Sequence, residues 1–414
     1  MQRKNDERYL RRWIPYSRQS IDEDDIRAVA EALRSDWVTT GPRIDDFENA
    51  FADWIGVRDA VAVSSGTAAL HAAMYAAGIG PGDEVIVPAI TFVATANSVA
   101  FQGGTPVLAD VNPETILMDP ADCEARITPR TKAIVTVDYA GQPCDYKVFR
   151  DISRRHNLTL IADACHSLGA EYKGVKTGTL ADLTVFSLHP AKHITSGEGG
   201  VITTDDPYLA QKMRIFRNHG ITSDHRRRTD DKTWHYEMID LGYNYRITDF
   251  QCALAKSQMR KLKGWLARRR MIASCYDAAF REIPGISPLR VSRDLRHAYH
   301  LYVIRCSPDR PETDRGRIFS ELREEGIGAN VHYIPVHLHP YYRDTFGYRK
   351  GDYPAAESAY GQILSLPMFP DMEPAEVKYV IEAVRRAIDS GKRKAKPFVR
   401  GGTREAPAES CLAT

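Results

Sequence analysis

Three short stretches of the 414-residue chain carry side chains whose types and spacing could do chemistry. The first is Ser64–Leu70 (SSGTAAL), which follows an apolar run and opens a helical pattern. At a strand-to-helix turn the amides of Gly66 and Thr67 have no intrahelical acceptor, glycine lets a ligand approach the backbone, and nearby hydroxyls add donors. Such a turn can hold an anion, although the same residues would serve as a plain helix N-cap. The second is Leu158–Ala170, where an apolar run ends at Asp163 with His166 three residues on. A carboxylate at the carboxyl end of a buried strand can fix the protonation of a ring nitrogen, or simply cap the next turn. The third is Asp182–Gly200, where a strand-like run ends at Ser187 and a loop places Lys192 in the spacing Ser-x-x-x-x-Lys. A desolvated lysine can bond covalently to a carbonyl, while an exposed one is solubilising charge.

Each stretch alone is weak; together they describe one site. A phosphate-cradling turn, a buried carboxylate and a lysine match the needs of pyridoxal phosphate. The carboxylate keeps the pyridine nitrogen protonated so that the ring accepts electrons, and the lysine holds the aldehyde and moves protons. Burial would lower the pKa of Lys192 enough for it to act as a base.

Those groups need a frame that brings distant segments together. Short apolar runs at Ala60–Val63, Glu84–Pro88, Pro106–Ala109, Lys132–Val137, Thr159–Ala162, Leu183–Ser187 and Gly200–Thr203 alternate with helical stretches such as Thr67–Ala77, Thr91–Gln102 and Tyr146–His156. The alternation predicts an α/β protein with a mostly parallel sheet covered on both faces. The first thirty residues read as a polar, helical arm ending in Asp22–Leu33. Thr248–Arg281 reads as one long helix, leading into a smaller α+β region with a strand-like Ala298–Arg305 and helices at Asp314–Glu324 and Glu376–Ile388. The expected units are therefore an arm and helix at 1–30, a large cofactor-binding domain at 31–260, a small domain at 261–390, and a disordered tail at 391–414 carrying a KRKAK cluster.

Composition narrows the class. Hydrophobic residues make up 43% and charged residues 27% of the chain, a globular balance that excludes disordered, collagenous and membrane-spanning chains. Fifty-six basic against fifty-four acidic residues leave +2, which argues against a general nucleic-acid binder. No transmembrane run is present, and the charged start MQRKNDERYLRRW lacks the apolar core of a signal peptide, so a cytoplasmic protein is expected. The seven cysteines form no CxxC pair and are expected as reduced thiols. His332, His337 and His339, with Tyr333, Tyr341 and Tyr342, lack zinc-site spacing and read as a polar substrate-lining loop, so no metal is expected. Arg226, Arg227 and Arg228 read as solvated charge on a loop, with a nucleotide diphosphate as the alternative contact.

On the SGT turn, AITFVATAN, Asp163, FSLHPAKHITSGEGG and LGYNYR, the chain resembles the sugar aminotransferases of the DegT/StrS type from about Ile14 to about Ile388. The resemblance implies the aspartate aminotransferase fold (PLP fold type I) with pyridoxal 5'-phosphate as cofactor. It puts Gly66, Thr67 and Ser187 on the cofactor phosphate and Phe92 over the ring. Asp163 falls on the ring nitrogen, with His166 beside it where the family often has glutamine, and Lys192 at the covalent position. It also implies a homodimer with shared sites, in which Asn244 reaches the neighbour's phosphate with Arg246 close by. Relatives that dehydrate sugars carry histidine at the lysine position; here the register lands on Lys192, with His193 one step beyond, which favours transamination.

Val137–Pro143, Asn330–Arg343 and Ser365–Met372 are similar to the UDP-sugar C4 aminotransferases of pseudaminic acid synthesis. That similarity implies L-glutamate as donor and a UDP-linked 4-keto-6-deoxy-N-acetylhexose as acceptor. The sugar nucleotide would be contacted by Tyr16, Asp36, Trp37, Val38, Thr39, Arg246, His332 and Tyr333. GDP- and dTDP-linked keto sugars, aminated on the same scaffold, are the alternative substrates, and dehydration the alternative chemistry.

Overall fold

The structure, a computed structural model, describes residues 13–395. The start of the arm and tail residues 396–414, with Cys411, lie outside the described residues. Seven strands build the main sheet: β1 (Asp59–Val63), β2 (Glu84–Pro88), β3 (Thr105–Ala109), β4 (Thr131–Val137), β5 (Thr159–Asp163), β6 (Leu183–Ser187) and β7 (Gly200–Thr204). Their spatial order is β1-β7-β6-β5-β4-β2-β3. Only β7 runs against its neighbours β1 and β6; every other pairing is parallel. Val85, Ile86 and Val87 on β2, and Leu160 and Ile161 on β5, are completely inaccessible. Strands covered on both faces are apolar at every position, and this explains the short unbroken runs in the sequence.

Helices cover both faces. The helix Gly66–Ala76 packs on β6 and β7, Tyr146–Arg155 on β5, and Pro42–Ile55 on β1. The last of these brings Phe47 and Phe51 edge-on to each other at 5.8 Å, and Phe51 edge-on to Phe186 of β6 at 5.4 Å. A second core lies in the C-terminal half. There the helices Leu262–Phe280, Arg315–Glu324 and Pro374–Ala395 surround an antiparallel sheet of Ile286–Pro288, Tyr302–Cys306 and Ile363–Leu366. Among the described residues no helix is long and apolar enough to cross a membrane.

Several segments depart from their sequence patterns. The stretch read as one long helix is two, Asp249–Met259 and Leu262–Phe280, divided at Arg260–Lys261. Lys261 turns there to pair with Asp25 at 2.9 Å and with Asp22, and Gln258 donates to Asp25 at 2.7 Å, so tertiary ion pairing sets the break. The arm from Ile14 to Tyr16 is extended, not helical. The Ile14 amide donates to Gly326, its carbonyl accepts from Gly328, and the Tyr16 carbonyl accepts from Met368. In the Ala298–Arg305 run, strand begins only at Tyr302. Ala298 and Leu301 instead donate to the carbonyls of Gly141 and Ala140. The final helix runs on to Ala395, through residues assigned to the tail, because Gly391 packs beneath Arg317 and Lys392 pairs with Asp389 at 2.8 Å. Arg226–Arg228 lie on a short helix, His225–Asp230, with Arg226 paired to Asp45.

Arg269 ties the helix Leu262–Phe280 to two other segments of the C-terminal half. Only 1% exposed, it donates to the carbonyls of Met368 (2.9 Å), Tyr299 (3.1 Å) and His300 (3.3 Å), and burial lowers its pKa to about 10. Replacing it by leucine leaves buried carbonyls without a donor. Arg269→Leu is expected to lose on the order of 3 kcal/mol of stability, read as a lower midpoint in chemical denaturation.

Candidate active site

The carboxyl ends of β1, β2, β4, β5 and β6, with the loops that follow them, open onto one cavity of about 520 Å³. This is the edge at which open α/β sheets hold ligands. Tyr16 from the arm and Asn330–Tyr333 from the C-terminal half close its far side.

Gly66 begins the helix after β1, and Ser65 caps it by accepting from the Ala68 amide at 3.1 Å. The amides of Gly66 and Thr67 remain first-turn donors at the positive end of a helix. Thus both readings of the turn hold at once: it is an N-cap and it faces the cavity. A Cβ on Gly66 would stand 3.0 Å from the Ser187 Cβ and 3.1 Å from its Oγ, so the glycine leaves the gap between turn and serine open. Gly200 allows the same closeness on the other side, where a Cβ would lie 2.3 Å from the Ser65 carbonyl oxygen. Two amides and a hydroxyl in a cradle that a side chain would fill are donors suited to a phosphate.

Asp163 ends β5 and is buried. It accepts from Thr95 Oγ1 at 2.7 Å and from the Cys165 amide at 3.2 Å. Since Thr95 gives its proton to Asp163, Thr91 must be the donor in the 2.7 Å contact between the two threonines. The carboxylate therefore both caps its turn and is held facing the cavity. Lys192 lines the same cavity, its amide on the His189 carbonyl at 2.8 Å. Ser17 of the arm donates to the carbonyl of the preceding Ala191 at 3.0 Å and braces that loop. Burial lowers the pKa of Lys192, with Cys165 and Asp163 pulling the other way. More of the amine is then free of its proton, the form that attacks carbonyls.

The remaining walls are aromatic. His166 shares a 3.1 Å hydrogen bond with the Tyr333 hydroxyl, and its ring lies 4.2 Å from that of His300. Burial holds His166, His193 and His300 well below the usual imidazole value and lowers His332 to about 4, so these rings are neutral near pH 7. His332 meets Ser365 Oγ at 2.8 Å, and Tyr16 packs 5.2 Å from its ring. Phe92 leans on Tyr333 at 5.8 Å and is 55% exposed, which leaves a ring face free for a flat ligand. Phosphate donors, a carboxylate for a ring nitrogen, an aromatic cover and a buried amine form a set that fits pyridoxal phosphate.

The cavity thus gathers Gly66, Thr67, Ser187, Asp163 and Lys192 with Phe92, His166, Tyr16, His332 and Tyr333. It does not gather Asp36–Thr39, most of which is exposed and which bonds through Val38 to the Asp249 amide. Asn244 is also elsewhere, exposed and bridged to Asn218, and Arg246 donates to Asn218 at 2.9 Å in a separate arginine-rich cleft. The histidine loop is split as well. His332 enters the cavity, whereas His337 is buried against Glu357 at 2.9 Å and His339 precedes the helix Pro340–Phe346. Among the described residues no three His, Cys, Asp or Glu side chains gather to hold a metal ion. Thr95, Cys165 and His300 had no place in the sequence-based site. For Thr95 a signal existed, since Thr91 and Thr95 are polar residues four apart in an otherwise apolar stretch.

Residues 19–385 match the DegT/DnrJ/EryC1/StrS aminotransferase family. The chain is 42% identical over 378 residues to the spore coat polysaccharide biosynthesis protein SpsC of Bacillus subtilis, covering 91% of this chain and 97% of that one. It is similar in structure to PseC of Helicobacter pylori, an aminotransferase involved in the biosynthesis of pseudoaminic acid. The TM-score is 0.85 at 32% identity, over 92% of this chain and 100% of the other. A putative sugar aminotransferase of Streptococcus pneumoniae in its PLP form gives a TM-score of 0.86 at 31% identity, over 92% and 99% of the two chains.

Gly66→Ala fills the cradle without straining the backbone. It is expected to weaken binding of pyridoxal phosphate to the apo-protein about tenfold, roughly 1.4 kcal/mol, with an unchanged unfolding midpoint. A fluorescence titration alongside a thermal melt checks both.

Proposed function

Because the chain belongs to the DegT/DnrJ/EryC1/StrS aminotransferase family, and is therefore a pyridoxal-phosphate-dependent sugar aminotransferase, we propose that it moves an amino group from L-glutamate to C4 of a UDP-linked 4-keto-6-deoxy-N-acetylhexose. Lys192, Asp163 and the Gly66–Ser187 cradle, lining one cavity, carry this reading. The likeness to a relative involved in pseudoaminic acid biosynthesis supports the choice of sugar.

When bound, pyridoxal phosphate supplies an electron-accepting ring and a carbon at which amino groups are exchanged. The amides of Gly66 and Thr67 and the Ser187 hydroxyl would hold its phosphate. Asp163, oriented by Thr95, would keep the proton on the ring nitrogen. Lys192 Nζ would anchor the cofactor, then take the proton from the glutamate Cα and later deliver one to sugar C4. Tyr16, His332 and Tyr333 would meet the sugar, and the neutral histidines add no charge to compete with Lys192 for protons.

Asn244 and Arg246 stand away from the cavity of their own chain, and the segment leading up to them carries a strip of exposed apolar side chains that includes Trp234, Met238, Ile239 and Leu241. A strip of this kind favours burial against another protein, and a second copy would bring Asn244 and Arg246 to the neighbour's cavity, with the loop Asp36–Thr39 meeting the nucleotide. In ultracentrifugation the protein is expected at twice the 46.5 kDa chain mass; a monomer at active concentrations contradicts the shared site.

L-glutamate added to the cofactor-loaded protein without sugar should convert the lysine-bound absorption band to that of the pyridoxamine form, and Lys192→Ala should abolish turnover while still binding cofactor. Full activity in Lys192→Ala contradicts the mechanism. UDP-, GDP- and dTDP-linked keto sugars then compete for the aminated form, with the UDP sugar expected to discharge it fastest.

A further inference from the structure

Asp138 directly follows β4 and is wholly buried, outside the set of side chains that line the cavity. Its amide donates to the Asp163 carbonyl at 3.1 Å. Its Oδ2 accepts from Ser167 Oγ at 2.6 Å, and its Oδ1 accepts from the Cys144 amide and the Tyr146 hydroxyl, each at 2.9 Å. One residue thus grips both ends of the turn from Asp163 to Ser167. Of the cavity-facing residues of that turn, Asp163 is at one grip and Cys165 and His166 lie between the two. Three donors converging on two oxygens form a socket for a carboxylate anion, since the Cys144 amide can only donate.

We propose that Asp138 is a positioning residue for amino transfer, whose carboxylate and amide clamp the 163–167 turn so that Asp163 and His166 meet the cofactor ring in one fixed geometry. The clamp rests on the reading that this cavity binds pyridoxal phosphate through Asp163. It also explains why an acid is tolerated in the core: a buried carboxylate fully supplied with donors holds a turn more firmly than a neutral acceptor does.

Burial pushes the Asp138 carboxyl up to about 6, the three donors oppose that rise, and Asp163 adds to it. The groups facing it are the Tyr146 phenol and Cys144 thiol, both held well above their usual values by burial, and Asp163 from β5; His166 and Lys192 stand beyond the turn. A raised folded-state value means that Asp138 is protonated below about pH 6 and charged above it. The clamp is therefore tight on the alkaline side and slackens as pH falls through that value.

Asp138→Asn keeps size and removes the charge, and Ser167→Ala removes the hydroxyl that ends the turn. Apo-protein of the parent and of each variant is titrated with pyridoxal phosphate from roughly pH 5 to 9. The cofactor's absorption band reports binding, and apo-protein unfolding midpoints are measured in parallel. Both variants are expected to bind about tenfold more weakly at pH 8, and the parent to lose affinity in a step near pH 6 that Asp138→Asn lacks. Parent-like affinity and an unchanged pH step in Asp138→Asn overturn the clamp. So does a fallen unfolding midpoint with the pH step intact, which marks a merely structural role. If Asp138→Asn does not fold, Ser167→Ala decides alone: weaker binding at pH 8 supports the clamp and parent-like binding overturns it. A parent that develops no cofactor band overturns the cofactor reading itself, and the clamp with it.

Discussion

The hydrogen-bonded ladder through the middle of the sheet sets Asp163 opposite Val137 on β4 and opposite Val185 on β6. Two residues further along β6, Ser187 faces Gly200 of β7, and Gly200 in turn faces Val63 of β1, just before the Ser65–Gly66 turn. One continuous register therefore fixes the spacing between the carboxylate and the phosphate-type cradle. Side chains alternate faces along a strand, so a slip of a single residue on β5 would carry Asp163 to the other side of the sheet. Burial on both faces resists that slip, because the ladder shares its strands with Leu160, Ile161 and Val185, none of which touches solvent.

The same burial decides the electrostatics. Imidazoles surround Lys192, yet desolvation keeps His166, His193 and His300 uncharged, and the lysine's own field adds to the effect on His166 and His300. The formal charges facing the cavity's centre are thereby reduced to a few, and in a low-dielectric setting each acts strongly. Histidine here forms a flat, polarisable part of the cavity wall.

Asp163 and Ser187 were legible in the sequence because each sits at the end of a run whose unbroken apolar character marks a doubly covered strand, and Lys192 because it lies five residues beyond Ser187 in the loop that follows. Strand limits were read to within about a residue for the same reason. Thr95 stood out as a polar residue four from Thr91, but its partner lies 68 residues away and no local pattern encodes that contact. His300 was misread because Ala298–Leu301 has the alternation of a strand but spends its amides on the turn at Ala140 and Gly141. The break at Arg260–Lys261 was invisible to helix propensity, since ion pairs with Asp22 and Asp25 produce it. Asn244, Arg246 and Asp36–Thr39 carry the residue types of a binding surface, but they lie outside the cavity of their own chain, and no local pattern encodes that placement.

The arm has a consequence for the order in which the molecule is made. Ile14 is gripped by Gly326 and Gly328, the Tyr16 carbonyl by Met368, and Ser17 braces the loop before Lys192. The arm thus finds most of its partners far along the sequence, in the C-terminal half. Such distant pairings close slowly and last. A nascent chain can build the sheet, the carboxylate and the cradle while translation continues. The wall formed by Tyr16 must wait for the C-terminal half, whose Met368 holds it, so the pocket closes only after the sheet that carries its floor.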